Sequence, residues 1–293
     1  MSRAVDLTRI LLAPPGAPVG EDERARVRNR LIAGIGPAVD RVGAGAQVEI
    51  TLALLRRARS RPDVLAQREE PFAWKPAFVR RSLGLAMVNS CLAGRYRTLA
   101  EAADPVAAEA VAEWRQTGWR TFHWEPWLAG LPVGARAVVL AEAVTWATAL
   151  WSSFEWSAFP GAPRVGGADD QWICPALRPV RLKSRAELRV PLRAYPSLPS
   201  PAPAPALPPV ALVSMAGGTP ADGWSDELAF LALVAGLRSP SRPVPARVVG
   251  VWPDAGTHRA VEIDGTALGR AADRVITTVS TLADARRQAH AAG

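Results

Sequence analysis

The chain is poor in lysine, histidine and cysteine, and these absences limit the chemistry that it can perform. Only two of its 293 residues are lysine, Lys75 and Lys183, so a mechanism that needs a lysine has two candidates. The three histidines are scattered, and the two cysteines, Cys91 and Cys174, lack the CxxC spacing of a zinc or redox site. We therefore predict two buried, reduced thiols that pack as small hydrophobic groups.

Familiar catalytic and membrane signatures are also missing. The chain contains no phosphate-binding GxxxxGK[ST], no GxSxG and no HExxH. No stretch reaches the roughly 18 uninterrupted apolar residues that a membrane span needs. The N-terminus lacks a convincing cleavable leader pattern. We therefore expect a cytoplasmic protein that has no membrane partner.

Arginine and tryptophan are abundant. The net charge of +8 comes almost entirely from arginine. This balance favours anionic partners such as nucleic acid, although a general bias towards Ala, Arg, Gly and Pro explains the excess equally well. Eight of the eleven tryptophans lie between Trp114 and Trp172. Such a cluster can stack on bases, but we favour a role in the core or in a seam between two sub-domains.

Helical patterns dominate the first half of the chain. Glycines 34 and 36 are expected to end the first helix and Gly94 the third, while Thr98 and Glu101 have the spacing of a capping box. A fifth helix, strongly apolar, should be buried on most faces. The predicted helices span residues 21–35, 46–59, 71–94, 98–117 and 135–156.

Strands enter after Pro160. Apolar residues alternate with charged ones from Val180 to Leu192, which predicts a strand. A Pro/Ala run at 196–209 should be an extended loop. The remaining predicted elements are a buried strand at 210–218, a helix at 224–238 capped by Ser225, a hairpin of strands 246–252 and 258–264 that turns at PDAG, and a closing helix at 265–289.

These elements define the expected class and domain organisation. The order predicts an α/β protein with a mixed central sheet flanked by helices and a mainly helical region ahead of it. We place the helical region at residues 1–134 and the α/β domain at residues 135–293.

Two stretches of the second half resemble a known family. The first is RLKSRAELRV (181–190) followed by ALVSMAGGTP (211–220). The second runs from DELAFLALVAGLR through ARVVGVWPDAG to LGRAADRVITTVSTL (226–282). In order and pattern they resemble the RecB-like members of the PD-(D/E)XK nuclease superfamily. The resemblance covers about half of the chain and implies a restriction-endonuclease-like core.

The resemblance also implies where catalytic groups would lie. In the family two carboxylates on adjacent strands hold Mg²⁺, and a lysine two residues after the second carboxylate helps to activate water or stabilise charge on phosphate. The first carboxylate falls on Glu187, the second on Ser214 and the lysine on Ala216. The resemblance therefore implies a degenerate catalytic motif in which Glu187 is a remnant.

Two groups of residues could restore a catalytic site. Lys183 shares a strand face with Glu187, but at about 3.3 Å per residue the two are roughly 13 Å apart. Asp226 and Glu227, at the start of the following helix, could supply a displaced carboxylate. Charges at a helix start are also explained by the helix dipole alone.

The charged face of the predicted strand is a candidate nucleic-acid interface. Four basic residues, Arg181, Lys183, Arg185 and Arg189, alternate on one side of it. In a fold derived from a nuclease, this face would border the substrate cleft and contact phosphates. An ordinary solvent-facing strand has the same pattern.

Three functions follow from these observations. The leading hypothesis is a catalytically degenerate nuclease-fold protein that binds nucleic acid or scaffolds a complex with a partner protein. The first alternative is an active metal-dependent DNA or RNA nuclease with relocated ligands, and only this function requires Mg²⁺. The second alternative is a protein-interaction module without a nucleic-acid role.

Overall fold

A computed structural model describes most of the chain as two compact units. The described residues are 3–42, 48–61, 65, 74–117, 124–166, 170–174, 176–177, 180–193, 208–239 and 241–292. Unit 1 comprises Met1–Thr8 and Glu70–Ser157, and unit 2 comprises Arg9–Glu69 and Ala158–Gly293.

Helices and strands follow one another in a mixed order along the described residues. The helices are α1 (Arg3–Leu12), α2 (Glu21–Val42), α3 (Leu52–Ser60), α4 (Pro76–Leu92), α5 (Leu99–Thr117), α6 (Glu125–Ala129), α7 (Val133–Trp151), α8 (Trp224–Arg238) and α9 (Gly265–Ala292). The strands are β1 (Val48–Thr51), β2 (Arg164–Val165), β3 (Asp170–Ile173), β4 (Val180–Ser184), β5 (Leu188–Pro191), β6 (Val210–Met215), β7 (Arg247–Trp252) and β8 (Thr257–Glu262). The predicted α/β class, with mixed sheets, flanking helices and a helical N-terminal region, is confirmed.

Unit 1 is helical in its described residues. Helices α4 and α7 pack closely because Gly84 has no side chain where the Trp146 ring lies against it. The predicted cap at Thr98 forms at the start of α5, where Thr98 Oγ1 accepts from Glu101 N at 3.1 Å, while Glu101 accepts from Arg97 N and not from Thr98 N as in a standard capping box. Helix α4 begins at Pro76, and Gly94 follows its end with a φ of +71°.

Helix α7 is more exposed than its sequence suggests. We expected burial on most faces, but Val133 is 87% exposed and Val138 58% exposed. By length and composition α7 alone among the described helices could cross a membrane, with 28% of its most apolar stretch buried. One such helix says little, because core helices of other proteins meet the same criteria.

Unit 2 contains two mixed sheets and the larger core. The three-stranded sheet has the order β1-β4-β3, and the five-stranded sheet has the order β2-β5-β6-β7-β8. Strands β6 and β7 are parallel and are joined by α8, which is buried along most of its length. Helix α9 packs on α2 and α8, and its first turn is capped by Asp264, which accepts from Ala267 N at 2.7 Å.

The structure corrects the predicted first helices. Helix α2 continues through Gly34 and Gly36. Gly34 faces Ile276 of α9 so closely that a glycine is the residue that fits there without adjustment. The helix predicted at 46–59 is a strand followed by a helix. Val48–Thr51 pairs in parallel with β4, and Thr51 then caps α3 by accepting from Leu54 N at 3.2 Å.

The continuous strand predicted from Val180 to Leu192 is also corrected. Strand β4 pairs with β1 and β3, whereas β5 pairs with β2 and β6 in the other sheet. Even-numbered residues are buried in both strands, so the alternation itself holds. Alternation does not reveal a strand's neighbours, and here the neighbours change between Ser184 and Leu188.

Three further predictions have different outcomes. The 246–264 hairpin forms as predicted, with Gly256 at a φ of +61° in its turn. Helix α8 starts at Trp224 with Gly223 as its cap, so the predicted cap at Ser225 is wrong by two positions. The Pro/Ala loop predicted at 196–209 lies outside the described residues, apart from Pro208 and Pro209.

The compact units do not divide at residues 134 and 135, where we placed the domain boundary. Helix α7 belongs to unit 1 because it packs on α4 and α5. Residues 9–69 belong to unit 2 because β1 completes its smaller sheet and α2 packs on α9.

Candidate functional site

Glu187 lies between β4 and β5 in the sequence, and it contacts strand β6. Its side chain is 1% exposed, and its Oε2 accepts from Met215 N at 3.0 Å. Its own backbone N–H donates to Val213 O at 2.8 Å. The structure therefore brings Glu187 next to the strand that carries Ser214, as the family resemblance implies. The carboxylate serves there as an acceptor for backbone.

The remaining positions of the metal motif do not supply ligands. Ser214 offers a buried hydroxyl and Ala216 a methyl group. Asp226 pairs with Arg270 at 3.1 Å. Among the described residues no group of three or more His, Cys, Asp or Glu side chains could hold a metal ion. Mg²⁺ binds oxygen donors, and the motif supplies one carboxylate, Glu187, which already accepts from backbone, and the hydroxyl of Ser214, so the described donors of the motif do not fit the ion.

The predicted basic face is divided between the two sheets. Arg181 and Lys183, on β4, flank Glu49 of β1, with N–O separations of 3.6 and 3.9 Å. Arg185 follows β4 and is half-buried. Arg189, on β5, pairs with Asp170 of β3 instead. The four residues do not form one row, because the strand that we expected to carry them is two strands.

Arg189 belongs to a pocket of unit 2 with a volume of about 460 Å³, which we call the arginine pocket. Its charged lining is Asp170, Arg189, Arg238 and Arg242. Asp170, 4% exposed at its side chain, accepts from Arg189 through one carboxylate oxygen and from Arg238 through the other, at 2.8 Å for Arg238. One buried carboxylate therefore orients two guanidinium groups, and Arg242 stands exposed at the same pocket.

The arginine pocket has well-supported walls. Its lining includes Pro208, Pro243 and Pro245, whose rings restrict the backbone. Arg24 of α2, itself buried, donates to the carbonyl oxygens of Ser239 and Arg242 at 3.4 and 3.2 Å. Because these carbonyls follow the negative C-terminal end of α8, the Arg24 guanidinium offsets the partial charge that would otherwise repel an anion.

A second cavity of unit 2, which we call the strand-end cavity, has a volume of about 420 Å³. It lies where β6 and β7 end and α8 begins, a common place for ligands in α/β sheets. Its lining includes Arg56, Arg59, Glu227 and Trp252. The buried Glu227 accepts from Arg56 Nε at 2.7 Å and lies 3.9 Å from Arg59, so the charges of this cavity largely compensate one another.

The sequence analysis missed three of the four charged groups of the arginine pocket. Arg238 and Arg242 lie in the stretch LRSPSRP, where arginines at a helix end and among prolines give a weak signal. Asp170 gives none, because its importance depends on the pairing of β3 with β4, which places it opposite Ser184. Asp254, within the predicted PDAG turn, also accepts from Gly218 N at 3.1 Å, a contact that the turn sequence does not indicate.

No protein-family model, curated protein or solved structure matches the chain. The resemblance to the PD-(D/E)XK superfamily therefore stays a prediction.

Proposed function

We propose that the protein binds nucleic acid without cleaving it and that the arginine pocket contacts a phosphate group. The observation that carries this proposal is the pairing of Asp170 with both Arg189 and Arg238 beside an exposed Arg242. Three guanidinium groups and one carboxylate leave the pocket lining with two positive charges.

The chemistry of arginine supports a phosphate ligand. A guanidinium presents five N–H donors in a fixed plane and binds phosphate oxygens in pairs. Asp170 takes only part of the donor set of Arg189 and Arg238, and it holds both planes in place. The net charge of +8 would add long-range attraction for a polyanion.

We propose no catalysis because the three candidate acidic residues already have partners within the fold. Glu187 binds backbone at β6, Asp226 pairs with Arg270, and Glu227 pairs with Arg56. Each of these carboxylates is engaged within the fold, so none of them is offered as a base or as a metal ligand.

The test measures binding of labelled single-stranded DNA, duplex DNA and single-stranded RNA of mixed sequence by fluorescence anisotropy across a salt series. The wild-type protein should lose affinity steeply as salt rises. The double variant Arg238→Ala/Arg242→Ala should bind about tenfold more weakly, and the slope of log K against log salt should fall by about 1 to 2. Arg238 is 49% exposed and Arg242 is exposed, so we expect the variant to fold.

A matched control removes the same charge elsewhere in unit 2. Arg30→Ala/Arg259→Ala deletes two exposed arginines, of which Arg30 pairs with Asp273 at 2.8 Å much as Arg238 pairs with Asp170. If the control weakens binding as much as the pocket variant, net charge and not the pocket is responsible, and the proposal fails. It also fails if no nucleic acid binds at any salt concentration.

Two other outcomes would favour the alternative functions. Cleavage that depends on Mg²⁺ or Mn²⁺ and is lost in Glu187→Ala would overturn the non-catalytic reading and favour a nuclease. Salt-independent binding of a protein partner, with no binding of nucleic acid, would favour the protein-interaction module.

A further inference from the structure

The charge of the arginine pocket distinguishes between two kinds of phosphate. Each oxygen of Asp170 is taken by one guanidinium, so the lining keeps two uncompensated positive charges among Arg189, Arg238 and Arg242. An internal phosphodiester of a nucleic acid carries one negative charge. A phosphate monoester at a strand end carries nearly two at neutral pH and has three terminal oxygens that accept hydrogen bonds.

The size of the pocket is compatible with such a group. Its walls come from β3, β5, the residues that enter β6, and the segment from Ala235 of α8 to Pro245. Its volume of about 460 Å³ is in the range of pockets that hold small ligands, so a phosphate group with its attached sugar is of a suitable size.

We propose that the arginine pocket is selective for a phosphate monoester at the end of a nucleic-acid strand. This inference rests on the proposed nucleic-acid binding and adds the chemical class of the group that the pocket takes. Asp170 acts as a positioning residue, because it orients Arg189 and Arg238 and does not itself contact the phosphate.

The experiment compares oligonucleotides of one sequence that differ only at their ends. One carries a 5′-phosphate, one a 3′-phosphate and one hydroxyl groups at both ends, and binding is measured by competition against a labelled oligonucleotide in a phosphate-free buffer. One of the phosphorylated forms should compete on the order of tenfold better than the hydroxyl form, since additional charge-assisted hydrogen bonds form. Arg238→Ala/Arg242→Ala should abolish the preference, and Arg30→Ala/Arg259→Ala should keep it.

Inorganic phosphate and a nucleoside monophosphate serve as further competitors. If either removes the end preference at a concentration that leaves binding of the hydroxyl form unchanged, the pocket recognises the monoester group and the proposal gains support.

Failure of the inference and failure of the proposed function give different results. If all three oligonucleotides bind with equal affinity and Arg238→Ala/Arg242→Ala weakens them equally, the pocket contacts internal phosphates and only the end selectivity is overturned. If no oligonucleotide binds, both proposals are overturned. An end preference that survives in the pocket variant places the selective group elsewhere and also overturns this inference.

Discussion

Unit 2 buries charged side chains, whereas the described part of unit 1 does not. Among the described residues of unit 1, the buried polar side chains are the hydroxyl-bearing ones of Thr8 and Ser90. Removal of a charge from water is costly unless partners replace the solvent. In unit 2 each buried charged side chain has a described hydrogen-bond or ion-pair partner. The buried charged residues there are Arg24, Asp170, Glu187, Glu227 and Arg247.

The difference shows that the two units are specified in different ways. Unit 1 depends on apolar packing between helices, as at Gly84 and Trp146, and on helix caps, which are local features of the sequence. Unit 2 depends on ion pairs and hydrogen bonds between residues that are distant in sequence, such as Arg247 with the carbonyl oxygens of Ile10, Leu11 and Ala13. Polar groups held in fixed orientations are also what a binding site requires, and both described cavities lie in unit 2.

The largest expected effect concerns one buried polar group in each unit. Glu187→Ala should lower the free energy of unfolding by about 2–3 kcal/mol, because Met215 N–H loses a charged acceptor in a buried position. Ser90→Ala should cost about 1 kcal/mol or less, because its donor Arg95 is half-exposed and can return to water. Hydrogen exchange in denaturant, followed by mass spectrometry of peptides from each unit, measures both.

Glu187→Gln is the control for this comparison. It keeps an oxygen that can accept from Met215 N, so it should lose less stability than Glu187→Ala. Equal losses in Glu187→Ala and Ser90→Ala would contradict the view that buried charge distinguishes the units.

A smaller effect is expected at two helix glycines, one in each unit. In Gly84→Ala the new methyl carbon would lie 2.5 Å from Trp146 Cε3 and 3.3 Å from Ala143 O, and neither a ring nor a backbone oxygen moves easily. We expect a net loss of about 1–2 kcal/mol from this overpacking. The methyl carbon of Gly34→Ala would lie 2.5, 2.8 and 3.0 Å from Cδ1, Cγ1 and Cγ2 of Ile276, a β-branched side chain with little freedom about its first torsion in a helix. A gain in helix propensity of about 1 kcal/mol should offset part of this overpacking, so we expect Gly34→Ala to lose about 1 kcal/mol or less.

Thermal unfolding of the two variants, each compared with wild type, gives the order of the effects. A greater loss in Gly34→Ala than in Gly84→Ala would mean that the α2–α9 contact is the more rigid of the two.

The smallest effect is kinetic and concerns the two cysteines. Burial, with a smaller contribution from Glu101, raises the pKa of the half-buried Cys91 thiol in unit 1. Because the thiolate is the reactive form, alkylation of Cys91 by iodoacetamide should be slower at pH 8 than that of a free thiol and should rise as pH approaches the raised pKa. Cys174 in unit 2 is fully buried and should react only after denaturation. Labelling followed by peptide mass spectrometry tests both, and fast labelling of Cys174 in the native protein would contradict its described burial.

Much of the secondary structure could be predicted because its signals are local. The cap at Thr98, the end of α4 near Gly94, the hairpin at 253–256 and the closing helix all follow from turn chemistry and helical spacing. The predicted end of the first helix was wrong. Gly34 and Gly36 suggested a helix end, but α2 continues through both, and at Gly34 the glycine serves the close approach of Ile276 of α9, a tertiary contact.

The candidate site could be predicted only in part. Arg189 was identified from the alternation of charged residues, but its partners Asp170 and Arg238 were not. Glu187 was placed correctly beside the strand of Ser214, whereas its expected position on the charged face was wrong, since its side chain is buried against β6.

The sequence by itself determined the excess of arginine, the α/β class and the alternation of buried residues within β4 and β5, because these depend on composition and on periods of a few residues. The tertiary structure decided which strands are neighbours. It therefore decided that β4 and β5 belong to different sheets, and that Asp170 joins Arg189 and Arg238 in one pocket. Contacts between residues 19 and 68 positions apart depend on strand pairing across the whole unit, and no local pattern encodes that pairing.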